Sequence, residues 1–536
     1  MKPDEYDYII AGGGSAGCVL AARLSEDKDV TVLLLEAGGS DRHPLFHIPA
    51  GFARMTKGIG SWGYSTVPQK HMKDRVFWYT QAKVIGGGSS INAQVYIRGN
   101  ALDFDDWAQA SCTGWSYREV LPYFKRAEDN ERIRDEYHGV GGPLGVSDPR
   151  ATLPIADAFF AAAQEAGIPP NPDFNGARQE GMGFYQVTQR RVRRSSTSMG
   201  YLRPARRRGN LTIRQRTFTR RVVIEKGRAV GVEIEPGGLM RAKREVILCC
   251  GAIGTPRLLL LSGIGPADHL KPVGVTPVHD LAGVGANLQD HVNLCCMSEC
   301  TGDHTYDKYG RPLWAAVAAL QYVLTRSGPA ASNLFAAGGF WFADEAAHAP
   351  DIQFHLGFGS GIEAGIAKLA HAGVTLNTAY LRPRSRGSVR LASNDPREAP
   401  LIDPNYWADP YDRAMSIRGL RMARDIMNRP ALRPFVLAER VPGPAIQTDE
   451  TLAEYACASA KTDHHPVGTC KMGAGIDAVV GPDLKLRGIE GLRVADASVM
   501  PYVITGNTNA ATIMIAEKAA DMIRGRQAPA PESIAA

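Results

Sequence analysis

Residues 6–36 confine the fold of this chain more than any other stretch. Residues 6–11 (YDYIIA) are a short apolar run, and residues 12–17 (GGGSAG) follow as a glycine turn. Residues 18–24 place Val19, Leu20 and Leu24 along a helix, and residues 30–35 (VTVLLL) are almost continuously apolar before Glu36. Such a run is what a parallel strand covered on both faces requires. The order strand, turn, helix, strand is a βαβ unit. Gly12, Gly14 and Gly17 fit the spacing G-x-G-x-x-G. The first glycine permits the tight turn, the second admits a pyrophosphate against the main chain, and the third lets helix and strand pack closely. The N–H groups that open the helix, around Ser15 and Ala16, then hold the phosphates. Glu36, followed by Ala37, lies 19 residues after Gly17, where an acid accepts hydrogen bonds from an adenosine ribose. The unit predicts a bound dinucleotide without choosing between NAD and FAD.

A second glycine segment makes that choice. Residues 82–93 read AKVIGGGSSINA. Three glycines let main chain lie against a flat ring, and Asn92 can hydrogen-bond ring heteroatoms. A nicotinamide site has no use for such a segment. With it on the page, the sequence resembles the glucose–methanol–choline (GMC) family of FAD oxidoreductases. Further landmarks carry the resemblance: GAIGTPR at 251–257 with SGIG at 262–265, HHPVGTC at 464–470, DAS at 496–498 and GNTN at 506–509. They span residues 7–523, nearly the whole chain.

The resemblance implies roles residue by residue. His465, before Pro-Val-Gly-Thr, is the base that removes a hydroxyl proton while hydride leaves the alcohol carbon. An imidazole suits that task near neutral pH. Asn507 is its partner and donates to the developing alkoxide. Contacts to FAD are implied for Trp62, Val84, Gly87, Asn92, Ala93, Val95, Val222, Asp496, Ala497, Asn507 and Thr508. The helix that begins at Asn509 points its positive end at the flavin pyrimidine ring. His464 walls the substrate pocket or supports it from behind, Trp341 and Phe354 wall the pocket or pack in the core, and His47, His355 and His371 read as structural or surface residues. Some family members link FAD covalently through a histidine just before the segment's asparagine. Ile91 occupies that position here, so noncovalent FAD is expected.

The expected fold is α/β. A FAD-binding Rossmann-like domain (1–150, 200–305 and 460–536) interweaves with a substrate domain carrying an antiparallel sheet (151–199 and 306–459). Strands are expected at 210–216, 219–225, 229–235, 245–250, 339–342, 351–358, 374–381 and 492–495, and helices at 312–326, 411–428, 450–460 and 509–524. The stretches NPDFNG at 171–176 and SGPAASN at 327–333 are most similar to bacterial L-sorbose dehydrogenases. They imply oxidation of L-sorbose, a similar polyol or a primary alcohol, with an acceptor such as a quinone or artificial dye. An oxidase that makes hydrogen peroxide, or a hydroxynitrile lyase on the same fold, remain alternatives.

Composition sets the limits. A net charge of +6 is too mild for nucleic acid. Twelve arginines and no acid fall between Arg190 and Arg221, which reads as a solvated face, or as a docking patch for an anionic membrane surface or an acidic electron acceptor. Nine cysteines without CxxC spacing predict free thiols and no metal site, and hence a cytoplasmic protein. No stretch of 18 apolar residues is present.

Overall fold

The computed structural model describes residues 4–363 and 367–534. In chain order, β1 (Glu5–Ala11), α1 (Ser15–Leu24) and β2 (Val32–Glu36) come first, and β3 (Gly181–Phe184) follows much later. Next come β4 (Leu211–Gln215), β5 (Phe218–Glu225), β6 (Arg228–Glu235), β7 (Gly238–Leu248) and α2 (Gly251–Leu261). After β8 (Val292–Cys300) come α3 (Pro312–Thr325), β9 (Ala337–Trp341), β10 (Ile352–Gly357), β11 (Gly373–Tyr380) and α4 (Pro410–Met427). The chain closes with β12 (Val436–Val441), β13 (Lys461–Thr462), β14 (Leu492–Val494) and α5 (Asn509–Ile523).

Two seven-stranded sheets organise these elements. In the first, β4, β2, β1, the end of β7 and β14 run parallel, and β5, β6 and β7 add an antiparallel meander. The expected α/β fold is thus present, with the βαβ unit at its centre. β7 starts seven residues before the expected strand. Its first half carries the charged and largely exposed Arg241, Lys243 and Arg244, and Lys243 and Arg244 pair with Glu5 and Asp7 on β1. α1 starts at Ser15, because the glycine turn itself opens the helix. A Cβ on Gly17 would stand 1.9 Å from the Gly12 carbonyl oxygen, so only glycine lets helix and turn pack this closely. α1 and α5 pack side by side, tied by Arg23 donating to the buried Glu517 carboxylate at 2.8 Å.

The second sheet is antiparallel, in the order β12-β8-β11-β10-β9-β3, with β13 on β8. Its strands match the expected 339–342, 351–358 and 374–381 closely. Residues 292–300 and 461–462, expected on the nucleotide side of the division, add strands to this sheet. Among the described residues, four helices of nine residues or more have no expected counterpart: α2, Ala101–Gln109, Tyr117–Ala127 and Pro154–Glu165. Two large apolar cores result, one around each sheet.

Candidate active site

One cavity runs from the carboxyl ends of β1 and β2 to the face of the second sheet. The crevice beyond the strand ends is where a doubly wound sheet binds its ligand. Gly12, Gly14, Ser15, Ala16, Glu36 and Ala37 line one end, and Trp62, Gly87, Asn92, Ala93 and Val95 the middle. Asp496, Ala497, Asn507, Thr508, His464 and His465 complete it. Three expected contacts lie behind this wall. Gly17 packs on the turn, Val84 is buried with Phe46, Met55 and Ile91, and the Val222 N–H donates to Ser262 Oγ at 2.8 Å. Near Val222, the residues that reach the cavity are Thr217, Phe218 and Thr219.

Hydrogen bonds stitch the three segments of the wall together. Ser15 Oγ donates to Asn509 Oδ1 at 2.8 Å and accepts the Ser89 N–H at 3.2 Å. Glu36 accepts the Gly13 N–H at 2.9 Å and the Gly38 N–H at 2.6 Å, which aims its carboxylate beside the turn with lone pairs to spare. Asp496 lines the cavity, but its carboxylate is saturated. It accepts from the Gly251 N–H at 2.8 Å, Thr255 Oγ1 at 2.6 Å and both the N–H and hydroxyl of Ser498. It tethers the end of β14 to the start of α2.

The cavity suits FAD on its own geometry. At Gly88 and Gly251, both in the wall, an added Cβ would meet nothing within 4 Å. The first turns of α1 and α5 contain no acid and no side-chain cap, so their N–H groups are free for anionic oxygens.

The far end is built by β8, β13 and the loop after β13. Gln289 pairs with Val467 and Val292 with Thr462, so two antiparallel runs set His291 beside His465. Asp290, fully enclosed, fixes both: it accepts the His291 N–H at 2.9 Å and the His465 N–H at 2.8 Å. Its other oxygen takes the hydroxyls of Tyr79 at 2.8 Å, Tyr406 at 2.5 Å and Thr462 at 2.6 Å. This hub was not expected from the sequence.

The bonding partners assign the histidine tautomers. His291 Nε2 faces the Leu381 carbonyl at 3.1 Å, and a carbonyl only accepts, so Nε2 carries the proton. His291 Nδ1 is then a lone pair. It accepts from His465 Nδ1–H across 3.0 Å. That leaves His465 Nε2 unprotonated, 3.1 Å from the Asn507 amide nitrogen, which donates to it. Asn507 Oδ1 accepts from Gln353 Nε2 at 3.1 Å, which fixes the orientation of the amide. Burial drives the pKa of His465 and of His464 down to about 3, and those of His291 and His355 to about 4. All four are neutral at physiological pH. Burial also works against the charge of Lys461, but Glu363 and Asp463 outweigh it and hold its pKa above the ordinary lysine value.

Two expected substrate residues do not reach this end. Phe354 is fully buried in the core behind the second sheet, and Trp341 packs on that core against Phe342. Side chains alternate along a strand. On β10 the residue that faces the cavity is therefore His355, and its register partner on β11, Asn377, lines the cavity beside it. His355 thus belongs to the site and not to the surface. Phe335, Glu363 and Asp463 are further wall residues that were not expected.

The buried imidazoles set a pH dependence of stability. Each takes a proton in the unfolded chain near pH 6.5 but not in the folded one. Their contribution is complete above about pH 6.5 and is lost as pH falls toward about 4. His138 has the opposite sign. Burial opposes its charge, yet Asp173 and Glu128 raise its pKa to about 9, so its contribution fades as pH rises through 9. Calorimetry of the holoenzyme is expected to give a Tm several degrees lower at about pH 5 than at about pH 7. Equal melting at both would contradict this burial.

With a two-sheet fold and a glycine cradle opening onto a histidine–asparagine pair, the molecule is of the flavoprotein oxidoreductase class. The comparisons agree. The N-terminal profile of GMC oxidoreductases matches residues 6–293 and the C-terminal profile residues 383–516. The chain belongs to the GMC oxidoreductase family. It is 42% identical to an alcohol dehydrogenase [acceptor] of Pseudomonas putida over 97% of this chain and 95% of that one. It is also 42% identical to an oxygen-dependent choline dehydrogenase of Sinorhizobium fredii, over 97% and 96%. The crystal structure of pyridoxine 4-oxidase from Mesorbium loti superposes with a TM-score of 0.89 at 32% identity, covering 97% of this chain and all of that one.

Proposed function

We propose that this protein oxidises a small-molecule alcohol to an aldehyde or ketone, with FAD held noncovalently and a dissociated acceptor such as a quinone as the electron sink. The observation that carries this reading is the unprotonated Nε2 of His465, which lines, beside the Asn507 amide that donates to it, the cavity that the glycine turn opens. When bound, FAD supplies the hydride acceptor. The chain's own residues manage the proton and the charge. His465 Nε2 takes the hydroxyl proton, and the imidazolium that forms keeps Nδ1–H on His291. The Asn507 amide donates to the oxygen as negative charge develops there. The free N–H groups at the start of α5 favour the anionic product of reduction.

The two relatives named above support an alcohol substrate in general. The stretches that resemble L-sorbose dehydrogenases are scaffold. Asn171 Nδ2 donates to the carbonyls of Arg178 and Glu180, Asn175 accepts the Arg98 N–H, and Asn333 donates to the Ala93 carbonyl. Sorbose, other polyols and primary alcohols therefore stand as equal choices within the proposal. Noncovalent FAD rests on Ile91, an apolar side chain in the cavity wall at the linking position.

Two measurements test the proposal. Acid precipitation should release all yellow colour into the supernatant, and colour kept in the pellet would refute noncovalent binding. In air, an alcohol with a quinone or dye should reduce that acceptor faster than hydrogen peroxide forms. Peroxide made at the full rate of alcohol oxidation, with no effect of the dye, would instead establish an oxidase.

A further inference from the structure

Helix α3 presents a broad exposed apolar surface. Its 14 residues include no charge, and only Ala318 and Tyr322 turn inward. Tyr322 Oη donates to the Val192 carbonyl at 2.7 Å, which pins that side of the helix. At 3.6 residues per turn, Leu313, Val317, Leu320 and Leu324 form one stripe on the opposite side. Leu313 is 73% and Leu324 72% exposed, and Trp314 and Val323 widen the stripe on its two flanks. Isolated apolar side chains at a surface need no explanation, but a contiguous patch of this kind marks an interaction face.

Basic side chains flank the two ends of the helix, and Arg326 stacks over the Tyr322 ring at 4.8 Å. Arg311 precedes the helix and Arg326 ends it, and both are exposed. Lys308 lies 5.6 Å from the Trp314 ring. Arg193 is exposed on the hairpin that Tyr322 holds. Within the arginine-rich 190–221 segment, this hairpin is the part that reaches α3. Arg194 is buried, and Arg208 is spent on Ser25 of the first sheet's shell. The acid nearest in sequence, Asp307, accepts from the hydroxyls of Thr305 and Ser360, and the next, Asp303, is engaged by Lys308.

We propose that α3 is an interfacial helix by which this protein docks on an anionic phospholipid bilayer. The apolar stripe enters the acyl boundary and the arginines meet headgroup phosphates. Charge complementarity favours this occupant over a second copy of the chain, since symmetric pairing would press the same basic side chains against themselves. The helix does not span: 14 residues reach about 21 Å, short of a hydrocarbon core of about 30 Å.

Flotation of the holoenzyme with vesicles tests this. Phosphatidylcholine vesicles containing phosphatidylglycerol should carry the protein up the gradient, and pure phosphatidylcholine should carry far less. The double variants Leu313→Glu/Leu320→Glu and Arg311→Glu/Arg326→Glu should each lose roughly tenfold or more of the bound fraction. Dye-linked turnover in solution should be unchanged, which shows that both fold. Absence of flotation, equal flotation on neutral vesicles, or unaltered flotation of both variants would overturn the proposal. So would a dimer in sedimentation velocity that only the leucine variant dissolves, which would make a second copy the occupant.

Discussion

Replacing His465 with alanine is expected to slow alcohol-dependent flavin reduction by roughly 10²–10⁴-fold, the range for loss of a general base, while FAD stays bound. The substitution removes the Nε2 lone pair that faces Asn507. It leaves the main-chain N–H of residue 465 free to donate to Asp290 at 2.8 Å, so the loop keeps its place. The glycine turn and Glu36 lie at the other end of the cavity and are untouched. Stopped-flow mixing with substrate, without oxygen, gives the rate, and the visible spectrum reports retained FAD. Because burial keeps His465 neutral, the wild-type rate should not titrate with an ordinary imidazole near pH 6.5. Near-normal reduction in the alanine variant would remove His465 from the mechanism.

The second large effect is at Asn507. Losing one preorganised donor typically costs about 10²–10³-fold in rate, which is the expectation for Asn507→Ala. Asn507→Asp should be slower still. The carboxylate has the same size but only accepts, and it would stand where the amide now donates to His465 Nε2 across 3.1 Å. The two lone pairs would then face each other, and the shortest relief is a proton on Nε2, which disables the base. The added negative charge also opposes charge developing on the substrate oxygen. The apparent pKa of His465 should therefore rise, and activity should recover only as pH increases. Asn507→His, which can still donate, should keep measurable activity. Reduction rates of the three variants across about pH 6–9 decide the matter. An aspartate variant as fast as the alanine variant throughout would leave Asn507 with a packing role only.

The glycine-turn end of this cavity was legible in the sequence because its pattern is local. Gly12, Gly14, Gly17 and Glu36 act through spacing within a single βαβ unit, and that unit folds as its pattern dictates. Short-range capping was equally legible in principle. Ser116 and Glu119 form a capping box at the start of a helix that the sequence expectation left out. The substrate end resisted for a physical reason. β10 and β11 are buried on both faces, so polarity does not reveal which side chains face the cavity, and a shift of one residue exchanges Phe354 for His355. His291 and Asp290 were invisible for another reason: they act on His465 across 174 and 175 residues of sequence. Only the pairing of β8 with β13, and of Gln289 with Val467 just outside them, brings them together.

The central claim is that an alcohol delivers reducing equivalents to FAD in this cavity with His465 as the base. It is tested most directly by titrating the oxygen-free holoenzyme with primary alcohols, choline and polyols including L-sorbose. The absorbance of oxidised flavin and the carbonyl product are followed together. At least one alcohol should bleach the flavin and yield one carbonyl product per FAD in the wild type, and the same alcohol should leave His465→Ala yellow on that timescale. Bleaching that is equally fast in both proteins, or carbonyl product released with the flavin still oxidised, as a lyase would give, would contradict the account.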